Sequence, residues 1–228
     1  MKRYAWSVFA VCCFLLFAGQ SSAWHDRTHL AAAKAAGYDM WYNAAAADLV
    51  KVKAAYIESG NHYFNNSSEM EVTPDLVLAQ ADRYNKSSDK EGHLYGAVIG
   101  SLRAYEKSAA KGRYAEYHLA FAAHYIGDLS HPLHNTPYDI FNKEHHAIND
   151  GIVDSVVLEH PGEITKRMYK IELSDGRFEE ELAREIARIA NLSRHLGYVM
   201  RADGGRDMTP EEAYGQLAHS ASLFKAVL

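Results

Sequence analysis

His124 and Asp128 stand four residues apart in HLAFAAHYIGDLSHPLH, and His146 and Asp150 repeat that interval in HAIND. Residues i and i+4 share a helix face, about 6 Å apart, so each pair can offer an imidazole and a carboxylate to one divalent ion. His134 follows Asp128 by six residues, just past Pro132, where the chain has left the helix and can turn toward the same place. A single helical histidine is usually a core or surface residue. Two His/Asp pairs flanking one break are hard to attribute to packing. Nitrogen and oxygen ligands without sulfur suit zinc, with manganese or iron also compatible. Asp82 in AQADRYN, His93 in EGHLYG and His29, five residues after Trp24, carry little weight alone.

The elements that must position these residues read as helices. An alanine-rich helical pattern covers 25–59 and breaks at Gly37. Thr73-Pro74 is a cap followed by proline at the first helical position, opening a helix to Tyr84. Further helices are predicted over 93–111, 114–129, 143–158 and 178–200. A capping box, Thr209-Pro210-Glu211-Glu212, starts the last one, which runs to the C-terminus. The only extended pattern is a short stretch at 169–173. No repeat, linker or charge block divides the chain, so the reading is one all-α domain, a single multi-helix bundle over 24–228.

Residues 1–23 read as an address. Lys2 and Arg3 precede an apolar run over 4–18, and small residues, Ser21 and Ala23, stand at −3 and −1 of a cut after Ala23. About 15 apolar residues fall short of the roughly 20 that span a membrane. Both cysteines, Cys12 and Cys13, lie inside this segment, so the exported chain would carry no disulfide and no transmembrane segment. Bound metal would then be one source of stability. Removing Lys2 and Arg3 leaves 22 basic against 29 acidic side chains, a charge of −7. That excludes a basic surface able to hold duplex nucleic acid through its phosphates. The expected location is periplasmic or secreted, and no stable protein partner is implied.

Taken in order, Trp24, His29, Asp82, His93, His124, Asp128, His134, His146 and Asp150 resemble the zinc-dependent phospholipase C and single-strand-specific nuclease superfamily. The pattern His-x3-Asp-x5-His followed by His-x3-Asp carries the resemblance, which covers 24–154; beyond that only the helical character matches. The resemblance implies an all-α secreted hydrolase with three zinc ions. Asp82, His93, His124 and Asp128 would bind one. The Trp24 amine and carbonyl, His29 and the shared Asp128 would bind a second, and His134, His146 and Asp150 the third. Water activated between two zinc ions would attack phosphorus, with Asp82 as general base. Cleavage after Ala23 would free the Trp24 amine and so activate the enzyme.

Alternatives remain within this pattern. Asp48 and His62, fourteen residues apart, could replace Asp82 and His93. His145 could replace His146, but the residue four later is then Asn149, a poorer ligand. His131 reads as a supporting or solvent-facing residue, and Asp154 as an acid that orients a ligand or simply faces solvent. His25, His118, His160, His195 and His219 have no partner at useful spacing.

The substrate follows from groups around the metals. In the nuclease branch an arginine usually stands where this chain has Asn85, and disulfides are common there. The Trp24-to-His29 interval and Asp150 in place of Glu are nuclease-like features. Arg83 and Lys90 occupy places where choline-binding relatives carry aromatic residues, which favours an anionic head group over a quaternary ammonium. The resemblance thus implies a phospholipase C-like enzyme acting on phospholipid, with Arg83, Asn85 and Lys90 at the substrate. A single-strand-specific nuclease and a non-catalytic zinc-binding exported protein are the alternatives.

Overall fold

The computed structural model describes residues 24–67 and 69–228; the predicted export signal lies outside them. Nine α-helices and no strand occur among the described residues, so the all-α expectation holds. The stretch at 169–173 forms no strand.

The predicted helix over 25–59 is two helices. α1 (Asp26–Ala36) closes on Gly37, whose φ of 90° few other residues tolerate. α2 (Ala46–Glu58) follows after a single 3-10 turn. His25 gives α1 no side-chain cap. Asp154 supplies one from across the molecule, its Oδ1 accepting from the Thr28 N–H and hydroxyl, both at 3.2 Å. This fixes the start of the helix that carries His29.

Thr73 caps α3 (Pro74–Ala81) as its sequence predicts. α4 (Leu94–Ala109) crosses α3 closely: a Cβ on Gly96 would lie 2.0 Å from the Gln80 carbonyl carbon. α5 (Glu116–Leu129) carries the HYIGD segment. A 3-10 turn, Pro132–Asn135, then leads to α6 (Ile140–Asp150). α6 starts earlier than predicted because the Asp139 side chain accepts from Asn142 N–H. It also ends earlier: turns replace the predicted helix over 151–158. Short α7 (Gly162–Thr165), long α8 (Phe178–Ala202) and α9 (Pro210–Val227) complete the chain. The Thr209–Glu212 capping box is formed at both of its bonds.

Two apolar clusters hold these helices. One centres on α3, α4, α5 and α8, with Tyr95, Ile99, Tyr125 and Ile186 fully buried. The other joins α1 and α9 around Trp24, Leu133 and Leu217. α5 belongs to the first, and its His124 and Asp128 are fully buried. Residues after 158 therefore complete the core, and none of them lines the cavity described below. Among the described residues no helix is long and apolar enough to cross a membrane.

Candidate metal centre

α5 presents His124 and Asp128 on one buried face, and three neighbouring segments add to it. α1 brings His29, with Nε2 3.3 Å from Asp128 Oδ1 and its ring stacked on His124 at 3.8 Å. α2 brings Asp48, with Oδ1 3.7 Å from His124 Nε2. After α2 the 3-10 turn Ser59–Asn61 returns the chain, and His62 Nδ1 lies 2.9 Å from Asp128 Oδ2 and 3.7 Å from Asp48 Oδ1. Asp128 thus turns one oxygen toward His29 and the other toward His62 and His124.

A second cluster forms beyond Pro132. His134 and His146 bring their Nε2 atoms within 3.1 Å, and Asp150 Oδ2 lies 3.5 Å from His146 Nε2. These buried His/Asp clusters can hold metal ions: His29, Asp48 and His124; His62, His124 and Asp128; and His131, His134 and Asp150 each gather ligand atoms within 4.8 Å of one another.

The hydrogen bonds around the clusters decide which nitrogens are available. The Nδ1–H of His124 donates to the Ala44 carbonyl at 2.9 Å, and that of His134 donates to the His62 carbonyl. Asn142 spends its amide N–H on the Leu133 carbonyl, so its oxygen accepts from His146 Nδ1–H at 2.7 Å. In its neutral form each of the three imidazoles therefore carries its lone pair on Nε2, aimed into the site. Two such lone pairs face each other between His134 and His146. Burial holds His134 down to about 4, so it is neutral at pH 7. A cation held by both rings would resolve that repulsion.

The carboxylates make the same demand. Both oxygens of Asp48, and one each of Asp128 and Asp150, are buried without a hydrogen-bond donor. Orphaned buried carboxylate oxygens are costly and rare. Burial by itself would lower the His124 imidazole, yet Asp128 and Asp48 raise it to about 9. The two acids take from His124 the positive charge that a cation would supply. Asp150 has no such help: burial and the nearby Asp128 charge push it well above the usual carboxylate range.

The structure places two of the ligands expected from the sequence away from Asp128. Asp82 ends α3 with its side chain 86% exposed, paired with Arg103 at 3.1 Å. His93 is buried but engaged at both nitrogens, by Asp89 and by Asn61, each at 2.8 Å. Neither faces Asp128. Asp48 and His62, the alternative pair, stand there instead. Arg83 is bound to Asp89 and Asn85 to Asn61, so neither projects to the site, whereas Lys90 lines the cavity beside it. His131 is wholly buried rather than facing solvent. Its Nδ1 accepts from Leu133 N–H, leaving the proton on Nε2, 3.2 Å from Asp150 Oδ1. With its Nδ1 lone pair spent on Leu133, neutral His131 offers the centre no free nitrogen lone pair, and His146 is the better ligand. His145 turns away to Asp207 at 2.7 Å. Trp24 is buried with its ring edge-on to His131 at 4.7 Å, and His25 N–H donates to the Asp150 carbonyl at 3.2 Å. The start of the described chain is thereby held beside the second cluster.

Three supporting residues escaped the sequence reading. Glu58, buried and bonded by Tyr125 and Asn61, lies 3.5 Å from His62 Nε2 and directs its Nδ1 toward Asp128. Asn142 does the same for His146. Both stand four residues before the histidine they orient, the interval that marks the ligand pairs themselves. Gly127 is the third: a Cβ there would lie 2.4 Å from His29 Nδ1. Gly127→Ala improves helix propensity by about 1 kcal/mol but collides with the ring. Metal affinity is expected to fall about 10–100-fold with helix content retained. Isothermal titration with zinc measures it, and wild-type affinity would show that His29 takes no part.

A cavity of about 520 Å3 opens onto this centre. His62, His134 and His146 line it, with Tyr63 and Tyr138 on its walls and Lys51 and Lys90 at its sides. No family model, curated protein or solved structure matches the chain.

Proposed function

We propose that the chain is an exported zinc-dependent phosphodiester hydrolase of the phospholipase C type. The observation that carries this reading is a cavity lined by His62, His134 and His146 and by two lysines, with the donor-less carboxylates of Asp48, Asp128 and Asp150 buried against those histidines. Bound zinc would supply a Lewis acid for the phosphoryl oxygens and lower the pKa of water toward about 7. His29, Asp48, His62, His124 and Asp128 would hold two ions, and His134, His146 and Asp150 a third. Lys51 and Lys90 offer positive charge to the phosphate and to an anionic head group. Glu58 beside His62 Nε2 keeps that ring in place. With Asp82 on the surface, no carboxylate outside the clusters is assigned as general base.

Phospholipid suits the site better than nucleic acid. The chain carries a net charge of −5, and a polyanion needs several cations along a track, not two at one cavity. The test pairs two substrate classes on one zinc-loaded preparation: mixed phospholipid vesicles, and single-stranded RNA and DNA, each with a chelator control. Chelator-sensitive release of phosphorylated head groups is expected. Release of nucleotides alone would assign the chain to nuclease chemistry instead. Three bound zinc ions with neither substrate cleaved would leave a non-catalytic metal-binding protein.

A further inference from the structure

The outer face of α2 is apolar where a helix facing water is normally polar. Leu49 and Val52, one turn apart, are 66% and 57% exposed. Tyr56 follows across a break at Ala54 (φ −132°) and is 69% exposed. Its carbonyl accepts from Ser88 N–H at 3.1 Å, so it sits against the loop that leads to Lys90. The same helix carries Asp48 into the metal centre and Lys51 to the cavity wall, with Lys53 exposed between them and Tyr56. A further wall of the cavity repeats the composition. Tyr138 lines it half exposed, Ile140 is 74% exposed, and Lys143 Nζ lies 5.3 Å over the Tyr138 ring.

We infer that α2, with the Tyr138–Ile140 segment, is a docking surface for an anionic lipid bilayer. This rests on the phospholipid reading of the site. Apolar side chains interleaved with lysines are the pattern of a helix lying in a membrane interface: the first enter the acyl boundary, the second meet anionic head groups. Charge selects the orientation. The protein as a whole is negative and an anionic surface repels it, so approach is favoured where lysines are grouped: Lys51 and Lys90 line the cavity, Lys53 is exposed on α2 and Lys143 lies over the Tyr138 ring. Docking by this face brings the lipid phosphate to the opening without lifting the acyl chains into water.

The experiment compares the zinc-loaded wild type with the double variant Val52→Glu/Tyr56→Glu and with Lys53→Glu. Cosedimentation is read on vesicles of phosphatidylcholine alone and of an equal mixture with phosphatidylglycerol. Hydrolysis of a short-chain phosphatidylglycerol below its micellar concentration is read in parallel. The wild type is expected to partition onto the mixed vesicles and far less onto phosphatidylcholine. The double variant should lose about tenfold in partitioning and Lys53→Glu several-fold, with monomer hydrolysis unchanged. Equal binding by wild type and double variant overturns the docking surface, as does a wild type that ignores mixed vesicles. A wild-type dimer that the double variant dissociates also overturns it, by assigning the face to a second copy. Binding that depends on Val52 and Tyr56 without cleavage of any lipid keeps the docking surface and removes the phospholipase reading.

Discussion

Asp128→Asn is expected to abolish zinc uptake by the first cluster and to lower kcat/KM by at least about 10³-fold, since loss of a residue that merely supports a ligand already costs 10–100-fold. Asp82→Asn should change neither. Asp128 is fully buried, and its two oxygens face histidines from α1, α5 and the segment after α2. An amide there brings no charge, and its N–H would occupy a nitrogen lone pair that an ion needs. Asp82 gives up only an exposed pairing with Arg103, a contact of the kind worth under about 1 kcal/mol. Asp48→Asn belongs with Asp128→Asn: Asp48 has two buried oxygens with no donor, and its charge is held by His124 and His62. Metal content after gel filtration and chelator-sensitive hydrolysis measure all three. A zinc-depleted Asp82→Asn with a zinc-replete Asp48→Asn would restore the ligand set that the sequence pattern implies.

The reason sequence spacing separates some of these residues and not others is physical. His124 with Asp128 and His146 with Asp150 are set by helical geometry within one element, so the interval alone brings each pair together. His134 needs only the turn that Pro132 enforces. Asp48 and Asp82 pose a different problem. Each precedes a histidine, by fourteen and eleven residues, and each lies in or at the end of a helix. Their roles depend on what lies opposite after folding. Arg103, one helix on in α4, draws Asp82 to the surface, and Asp89 with Asn61 occupies His93. Nothing local to AQADRYN records those partners.

The same contrast holds for the fold. The Thr209–Glu212 capping box and the Thr73-Pro74 start are local signals, and both helices begin where those signals stand. α6 begins at Ile140 because Asp139 caps it, a local signal that the apolar pattern obscured. α1 is different, because its cap, Asp154, lies 126 residues from Thr28. Gly127 is also silent in sequence. Its place next to Asp128 has meaning only once the His29 ring from α1 lies against it.

Removing metal from the folded protein should lower its melting temperature by about 8–16 °C for each tightly held ion. An ion present at a thousand times its dissociation constant stabilises the native chain by about 4 kcal/mol, and a domain of 150–250 residues shifts about 2–4 °C per kcal/mol. The loss should be large here because the centre is also buried within the fold. α1, α2 and α5 meet at Asp128 through charged and polar groups rather than through apolar packing. His29, Asp48 and Asp128 all retain buried polar atoms without a hydrogen bond. Without a cation, Asp150 is driven toward its neutral acid and His124 takes up a proton, so part of the charge is neutralised and part of the cost remains. Differential scanning calorimetry of the chelated and zinc-reloaded protein measures the shift, with magnesium as the control ion because oxygen-seeking Mg2+ is poorly served by imidazoles. A melting temperature indifferent to zinc would mean that the clustered histidines and aspartates are held by protons alone, and the hydrolase reading would fall with the metal.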